Sequence, residues 1–232
     1  MIYTPPDQWP ELHPEFLTSA RFIDSDAASI QSFAQETTAG AISDIDKAVK
    51  LFYAVRDGWR YDPFAMHVDA HQYVASTVMH AKNAAYCLPK AVLLAALARA
   101  VGIPSAIGLS DVENHLTTDK LKARMGGKTR FINHGYAVLY LDGQWVKAAP
   151  AFNIELCERF RVHPTEFNGH SHSIFQEYDA DNRRHMEYIR NNGIWSDFPY
   201  DKVMTDFKAF YPLETLGNPN ADERFEDGVA AS

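Results

Sequence analysis

Apolar residues in this chain follow two different periods, and those periods divide it into elements. Ile45, Val49, Phe52 and Val55 recur at helical spacing after Ser43. Asp46, three places beyond that serine, makes a capping-box-like start, so a helix is predicted from Ser43 to Gly58. Another helix is expected before it, and a short one over 72–82. The run from Cys87 to residue 101 is apolar almost throughout and stops at Gly102-Ile103-Pro104, which predicts a long buried helix. Ser105–Leu109 reads as a strand. The clearest β-signal is Phe131–Leu141, then Asp142-Gly143, then Gln144–Ala149. An Asp-Gly pair between two such runs marks a hairpin, because both turn residues must tolerate positive φ. Short helices are expected near 154–161 and 201–210, with a His- and Asn-rich loop between them. Residues 1–24 read as an irregular arm.

The polar stretch 111–130 carries Lys120, Lys122, Arg124, Lys128 and Arg130. It reads as a solvated surface loop with a helical turn, the alternative being a lid over the site. Residues 217–232, with Asp222, Glu223, Glu226 and Asp227, read as a disordered acidic tail after a single domain spanning 1–216.

Composition narrows the class. Of 232 residues, 46% are hydrophobic and 12% aromatic, enough for a substantial core. A net charge of −8 argues against a nucleic-acid or anionic-membrane role, both of which need a basic surface. No apolar stretch approaches the ~20 residues of a membrane span. The first 23 residues lack the layout of a secretory signal, so a cytoplasmic location is expected. With only Cys87 and Cys157, neither a disulfide framework nor a cysteine-built zinc site is expected. His163, His170, His172 and His185 fall in or near the late loop without a completing ligand set. No metal or other cofactor is expected.

The chemistry centres on Cys87. At a helix start the unpaired N–H groups and partial positive charge favour the thiolate, the nucleophilic form, and can also bind an oxyanion. His134, on the strand before the Asp-Gly turn, is the matching base; His115, in the polar stretch, is the rival. If Asp142 and Gly143 form the turn, Leu141 pairs with Gln144, Tyr136 faces Ala149 and His134 faces Ala151. On that register the diagonal neighbours of His134 are Ala149 and, if pairing runs past Pro150, Asn153. A cysteine hydrolase needs a third group to hold its imidazole. Asn153 is the one polar candidate, with helix N-capping as its alternative role. Asn83 and Tyr86 are candidate oxyanion donors and Tyr136 a candidate lining residue. Trp59, Tyr61 and Trp195 are read as core rather than cleft, and Cys157 as core on a short amphipathic helix.

Taken together, these residues resemble the transglutaminase-like superfamily of papain-type cysteine enzymes. The resemblance lies in Cys87 at the start of an apolar helix and Arg99-Ala100-Val101-Gly102-Ile103-Pro104 at its end. It continues through His134-Gly135-Tyr136 to Tyr140, Asp142-Gly143, Trp145 and Ala149-Pro150. It covers residues 72–153, and the segment Pro150-Ala151-Phe152-Asn153 is similar to one in uncharacterised bacterial transglutaminase-like proteins. The resemblance implies an α+β fold, with the cysteine-bearing helix packed on an antiparallel sheet or small barrel, extra helices at both ends, and a Cys-His-Asp triad. Ala149 stands where the family has its Asp, and Ala85 where it usually has a glycine. The expected activity is cysteine-dependent acyl transfer, chiefly hydrolysis of a peptide or small amide or ester by Cys87 and His134. The alternatives are a silent binding protein or a protein-glutamine acyltransferase. Oligomeric state is not legible.

Overall fold

The computed structural model describes residues 1–81, 84–115, 117–175, 177–212 and 225. Asn83 and, apart from Phe225, the acidic tail lie outside these residues. The fold is a mixed α/β architecture with seven α-helices and a five-stranded antiparallel sheet among the described residues.

The helices are α1 (Ala28–Thr37), α2 (Asp44–Gly58), α3 (Ala75–His80), α4 (Cys87–Ala100), α5 (Asp119–Arg124), α6 (Ile154–Phe160) and α7 (Tyr200–Phe210). The strands are β1 (Tyr3–Thr4), β2 (Ser105–Asn114), β3 (Arg130–Leu141), β4 (Gln144–Ala148) and β5 (Met186–Trp195), in sheet order β1-β5-β2-β3-β4.

The predicted caps and turn appear. Ser43 Oγ accepts the Asp46 N–H at 3.1 Å and starts α2. Asp142 and Gly143 both have positive φ, 47° and 83°, and Leu141 pairs with Gln144 as expected. α4 is apolar on every side, so it can only be stable as a central element. It lies between α1–α3 and the sheet, every residue from Cys87 to Arg99 being buried.

Its two buried cations bind backbone. Lys90 Nζ donates to the carbonyls of Arg56 (2.8 Å), Trp59 (2.6 Å) and Ala151 (2.8 Å), joining α4 to the end of α2 and to the chain beyond β4. Arg99 donates to the carbonyls of Thr18, Ser105 and Ser196, which locks the other end of α4 to the arm, β2 and the residue after β5.

The arm is less irregular than the sequence suggests. β1 pairs with β5, and Phe16 is buried with Tyr136, Val138, Trp145 and Ala149 in a cluster separate from the main core. No described helix is long and apolar enough to cross a membrane.

Two elements differ from expectation. β2 runs five residues further than predicted, to Asn114, and β5 is a strand where a loop was expected. Asn191-Asn192-Gly193 reads locally as a turn. Gly193 indeed has φ +111°, but β2 pairs across this point through a register shift, so the turn-like residues form a bulge inside a strand.

Candidate active site

α4 and β3 bring the two main candidates together. Cys87 and His134 line one cavity of about 30 Å³, room for a water or two, with Tyr61, Tyr86, Met125 and Tyr211 around them. Cys87 is 7% exposed and His134 4%. The close approach depends on Gly135, next to His134, which packs directly on Leu88, next to Cys87.

His134 is set by an irregularity in β3. Between Ser110 and Val112 of β2, β3 carries one extra residue, and Asn133 adopts φ +52°. The Asn133 N–H donates to Asp111 (3.0 Å), its Nδ2 donates to Asp206 (2.8 Å), and its Oδ1 accepts from Asn192 (3.0 Å). A left-handed asparagine held on three sides fixes the backbone immediately before His134.

Burial reverses the ionisation expected at a helix start. It pushes the Cys87 thiol up to about 12, against the backbone N–H groups of Gly135, Leu88 and Cys87, which favour the thiolate but are outweighed. Burial alone pulls the His134 imidazole down to about 3. Both groups are therefore neutral near pH 7. His134 Nε2 is buried and, among the described residues, has no hydrogen-bond partner. Such an atom in a native fold calls for a reason, and a proton-transfer role is one. Cys157, in the core on α6, is also pushed up to about 12 by burial, but no backbone donor acts on its sulfur.

The third position is apolar. β4 ends at Ala148, and the Ala149 N–H bonds to the Ser173 carbonyl (2.8 Å) instead of continuing the hairpin. The segment after Ser173 delivers Phe175, whose ring centroid lies 4.8 Å from that of His134, with Tyr188 at 6.1 Å. The Asn153 amide is engaged elsewhere: Oδ1 accepts the Tyr61 N–H (3.0 Å) and Nδ2 donates to Glu155 (2.7 Å). It occupies the N-cap position of α6 without a side-chain cap bond and makes no bond to His134. The register expectation fails from Ala149 on, where the chain bonds to Ser173; beyond it Pro150 has no N–H for a ladder and Lys90 holds the Ala151 carbonyl on α4. Ala149 is buried with Tyr136 in the second cluster. Tyr136 therefore lies off the cavity.

Tyr86 lines the cavity but is no oxyanion donor. Tyr73 O–H donates to the His67 carbonyl (2.8 Å), so the Tyr86 proton must be the one shared with Tyr73 (2.6 Å). Tyr211 lines the same cavity, and no local sequence pattern announces it. Its oxygen accepts the Ile132 N–H (2.9 Å), and among the described residues its own O–H makes no bond. Only the return of the chain after α7 places it here. Asn114 shares a second cavity, of about 20 Å³, with His134, Phe152 and Phe175.

The polar stretch lies where the lid alternative puts it, against the site, although its ends belong to β2 and β3. α5 buries Leu121, and Met125 follows it into the same cavity wall over Cys87. His115 instead pairs with Glu187 (3.2 Å) at the sheet's end. The late histidines are dispersed: His172 Nδ1 accepts the Lys147 N–H, and His185 packs near Phe152 and Phe175. Among the described residues no three His, Cys, Asp or Glu side chains gather as a metal site. Trp59 is core, its Nε1 donating to the Val78 carbonyl, and Trp195 is core as well, but Tyr61 lines the cavity.

A cysteine that opens a buried central helix and shares a cavity with a histidine on the antiparallel sheet beside it fits one class, the transglutaminase-like fold. The family model for the transglutaminase-like superfamily matches residues 31–150, more than half of the chain, and the protein belongs to that superfamily. The match begins before the segment that carries the sequence motifs and takes in most of α1 and all of α2. A comparison with curated proteins finds no match.

Among solved structures, a cysteine protease candidate from Cytophaga hutchinsonii is similar at 18% identity and TM-score 0.44 over 58% of this chain and 40% of that one. A protease candidate from Parabacteroides distasonis is similar at 18% identity and TM-score 0.39 over 56% of this chain and 24% of that one. This chain thus spans about two fifths of the length of the first and about a quarter of the second.

Proposed function

We propose that the protein is a cysteine-dependent hydrolase of peptide or amide bonds, with a resting state that is closed and uncharged. Cys87 Sγ attacks the carbonyl carbon while His134 takes the thiol proton. The carbonyl oxygen becomes an oxyanion facing the first N–H groups of α4 and the Tyr211 O–H. His134 then gives its proton to the leaving amine as the C–N bond breaks. Water, deprotonated by His134, hydrolyses the thioester and returns the thiol. A peptide or small amide is the proposed substrate, and a cytoplasmic setting goes with that proposal.

The observation that carries this reading is the pairing of Cys87 and a hydrogen-bond-free His134 nitrogen on one cavity wall. Reactivity requires that the cavity open, because water and substrate must lower the desolvation that holds both groups neutral.

Brief iodoacetamide labelling with peptide mapping tests it. Cys87 should label faster than Cys157, His134→Ala should slow Cys87 and His115→Ala should not, and wild type and His115→Ala, but not His134→Ala, should turn over an activated amide. Faster labelling at Cys157, or no effect of His134→Ala, would refute it. A second reading, a silent peptide binder, is favoured by the apolar surroundings of His134. It would be supported by tight peptide binding that Cys87→Ser leaves unchanged, without turnover by either protein.

A further inference from the structure

One buried side chain reaches the site from beyond α7. Phe225 is 5% exposed although it lies fourteen residues beyond Tyr211 in sequence. Its ring stacks on Phe160 with centroids 5.0 Å apart and meets Phe64 at 5.9 Å and Tyr61 at 6.3 Å, edge-on in both cases. It walls the second cavity at His134 and a further one, also of about 20 Å³, beside Phe160 and His185. Removing the ring would join these spaces into one aromatic slot leading to the catalytic histidine. Tyr61 and Leu121, which border that slot, also border the cavity that holds Cys87.

We infer that this slot is a subsite for an aromatic side chain of a peptide substrate, and that the chain fills it in cis with Phe225. The inference rests on the hydrolase reading for the substrate's fate but not for its binding.

Three features point to this occupant. Rings of Tyr61, Phe131, Phe152, Phe160 and Phe175 make much of the slot's wall, with aliphatic side chains such as Val112 and Leu156 between them, a lining that suits a planar aromatic. The occupant seen in it is a phenylalanine carried on a peptide. The surroundings also match in charge: Lys120 Nζ and Arg124 lie over the Phe64 ring at 5.6 and 4.9 Å, so the lid helix sets two cations beside the ring that packs on Phe225. In the sequence, Glu223, Glu226 and Asp227 flank Phe225. The preferred substrate is therefore a peptide with an aromatic residue among acidic ones, and the closed state is a self-bound state. A substrate must displace Phe225 first, so its apparent affinity is reduced by the fraction of molecules in which the slot is open.

The test uses the full chain and its Phe225→Ala and Phe225→Leu variants. Phe225→Ala should raise the Cys87 alkylation rate roughly tenfold, about what burying one phenylalanine ring contributes to a closed–open equilibrium. Phe225→Leu, which fills the slot in part, should fall between. A fluorescein-labelled peptide copying residues 221–229 should bind Phe225→Ala more tightly than wild type by a similar factor, as read by anisotropy. The same peptide with alanine at the phenylalanine position should not bind. Either an unchanged alkylation rate in Phe225→Ala or failure of the parent peptide to bind that variant overturns the inference. Binding and faster labelling without turnover of any aromatic amide would leave the subsite standing and refute the hydrolase reading instead.

Discussion

Gly135→Ala probes the contact on which the site is built. A Cβ at this position would stand 2.4 Å from Leu88 Cδ2 and 3.2 Å from Leu88 Cα, and Leu88 is fully buried. The methyl can retreat by changing rotamer at about 0.5–1.5 kcal/mol, but the Cα cannot, so the start of α4 must shift by a few tenths of an ångström. Overpacking of this kind costs about 1–3 kcal/mol. The shift also moves the Gly135 N–H relative to the Cys87 sulfur and weakens one of the three backbone donors that oppose the raised thiol pKa. Urea unfolding should therefore show a lower midpoint at an unchanged slope, and alkylation of Cys87 should slow. Leu88→Ala alone should cost about 2–5 kcal/mol. The double variant should cost less than the sum of the two by about 1–2 kcal/mol, because the small side chain makes room for the new methyl. Additive costs in that cycle, or a Gly135→Ala protein as stable and as reactive as wild type, would refute the claim that this glycine sets the Cys87–His134 approach.

Acid sensitivity follows from two buried imidazoles, His134 held down to about 3 and His185 to about 4 by desolvation. Each binds its proton more weakly folded than unfolded, so their contribution is complete above about pH 6.5 and is lost as pH falls toward the folded values. Near pH 5 the two together give a slope approaching ~2.7 kcal/mol per pH unit, and His134→Gln should roughly halve it. A flat stability profile from pH 7 to 5 would contradict this. Asn153→Ala should cost about 1–3 kcal/mol by stranding the Tyr61 N–H, with no change in the pH profile of Cys87 alkylation. A shifted profile would return Asn153 to the role of orienting His134. Lys90→Met should cost about 3–5 kcal/mol, because three buried carbonyls lose their donor. A loss under ~1 kcal/mol in thermal or urea unfolding would mean that those carbonyls find other partners.

Much of the fold is written locally. Ser43 and Asp46 start α2 by a bond three residues long, Gly102 and Pro104 stop α4, and Asp142-Gly143 supplies the two positive φ values that fold β3 onto β4. These are short-range constraints, and the residue types alone carry them. The same holds for Cys87 at a helix start and His134 on a strand.

What surrounds that pair was decided elsewhere. Asn153 meets Tyr61 across 92 residues of sequence, and Lys90 meets Ala151 across 61. No local period announces either bond, yet together they bend the chain away from His134 and leave Phe175 in that space. β5 reads as a loop until β2 pairs with it through a bulge, and α5 reads as a helical turn in a solvated loop until Leu121 packs into the cavity wall. The charge state of the site belongs to the same category. A helix start favours a thiolate by its N–H groups, but desolvation acts on the whole environment of an atom, and only the packed structure sets how much water Cys87 and His134 keep.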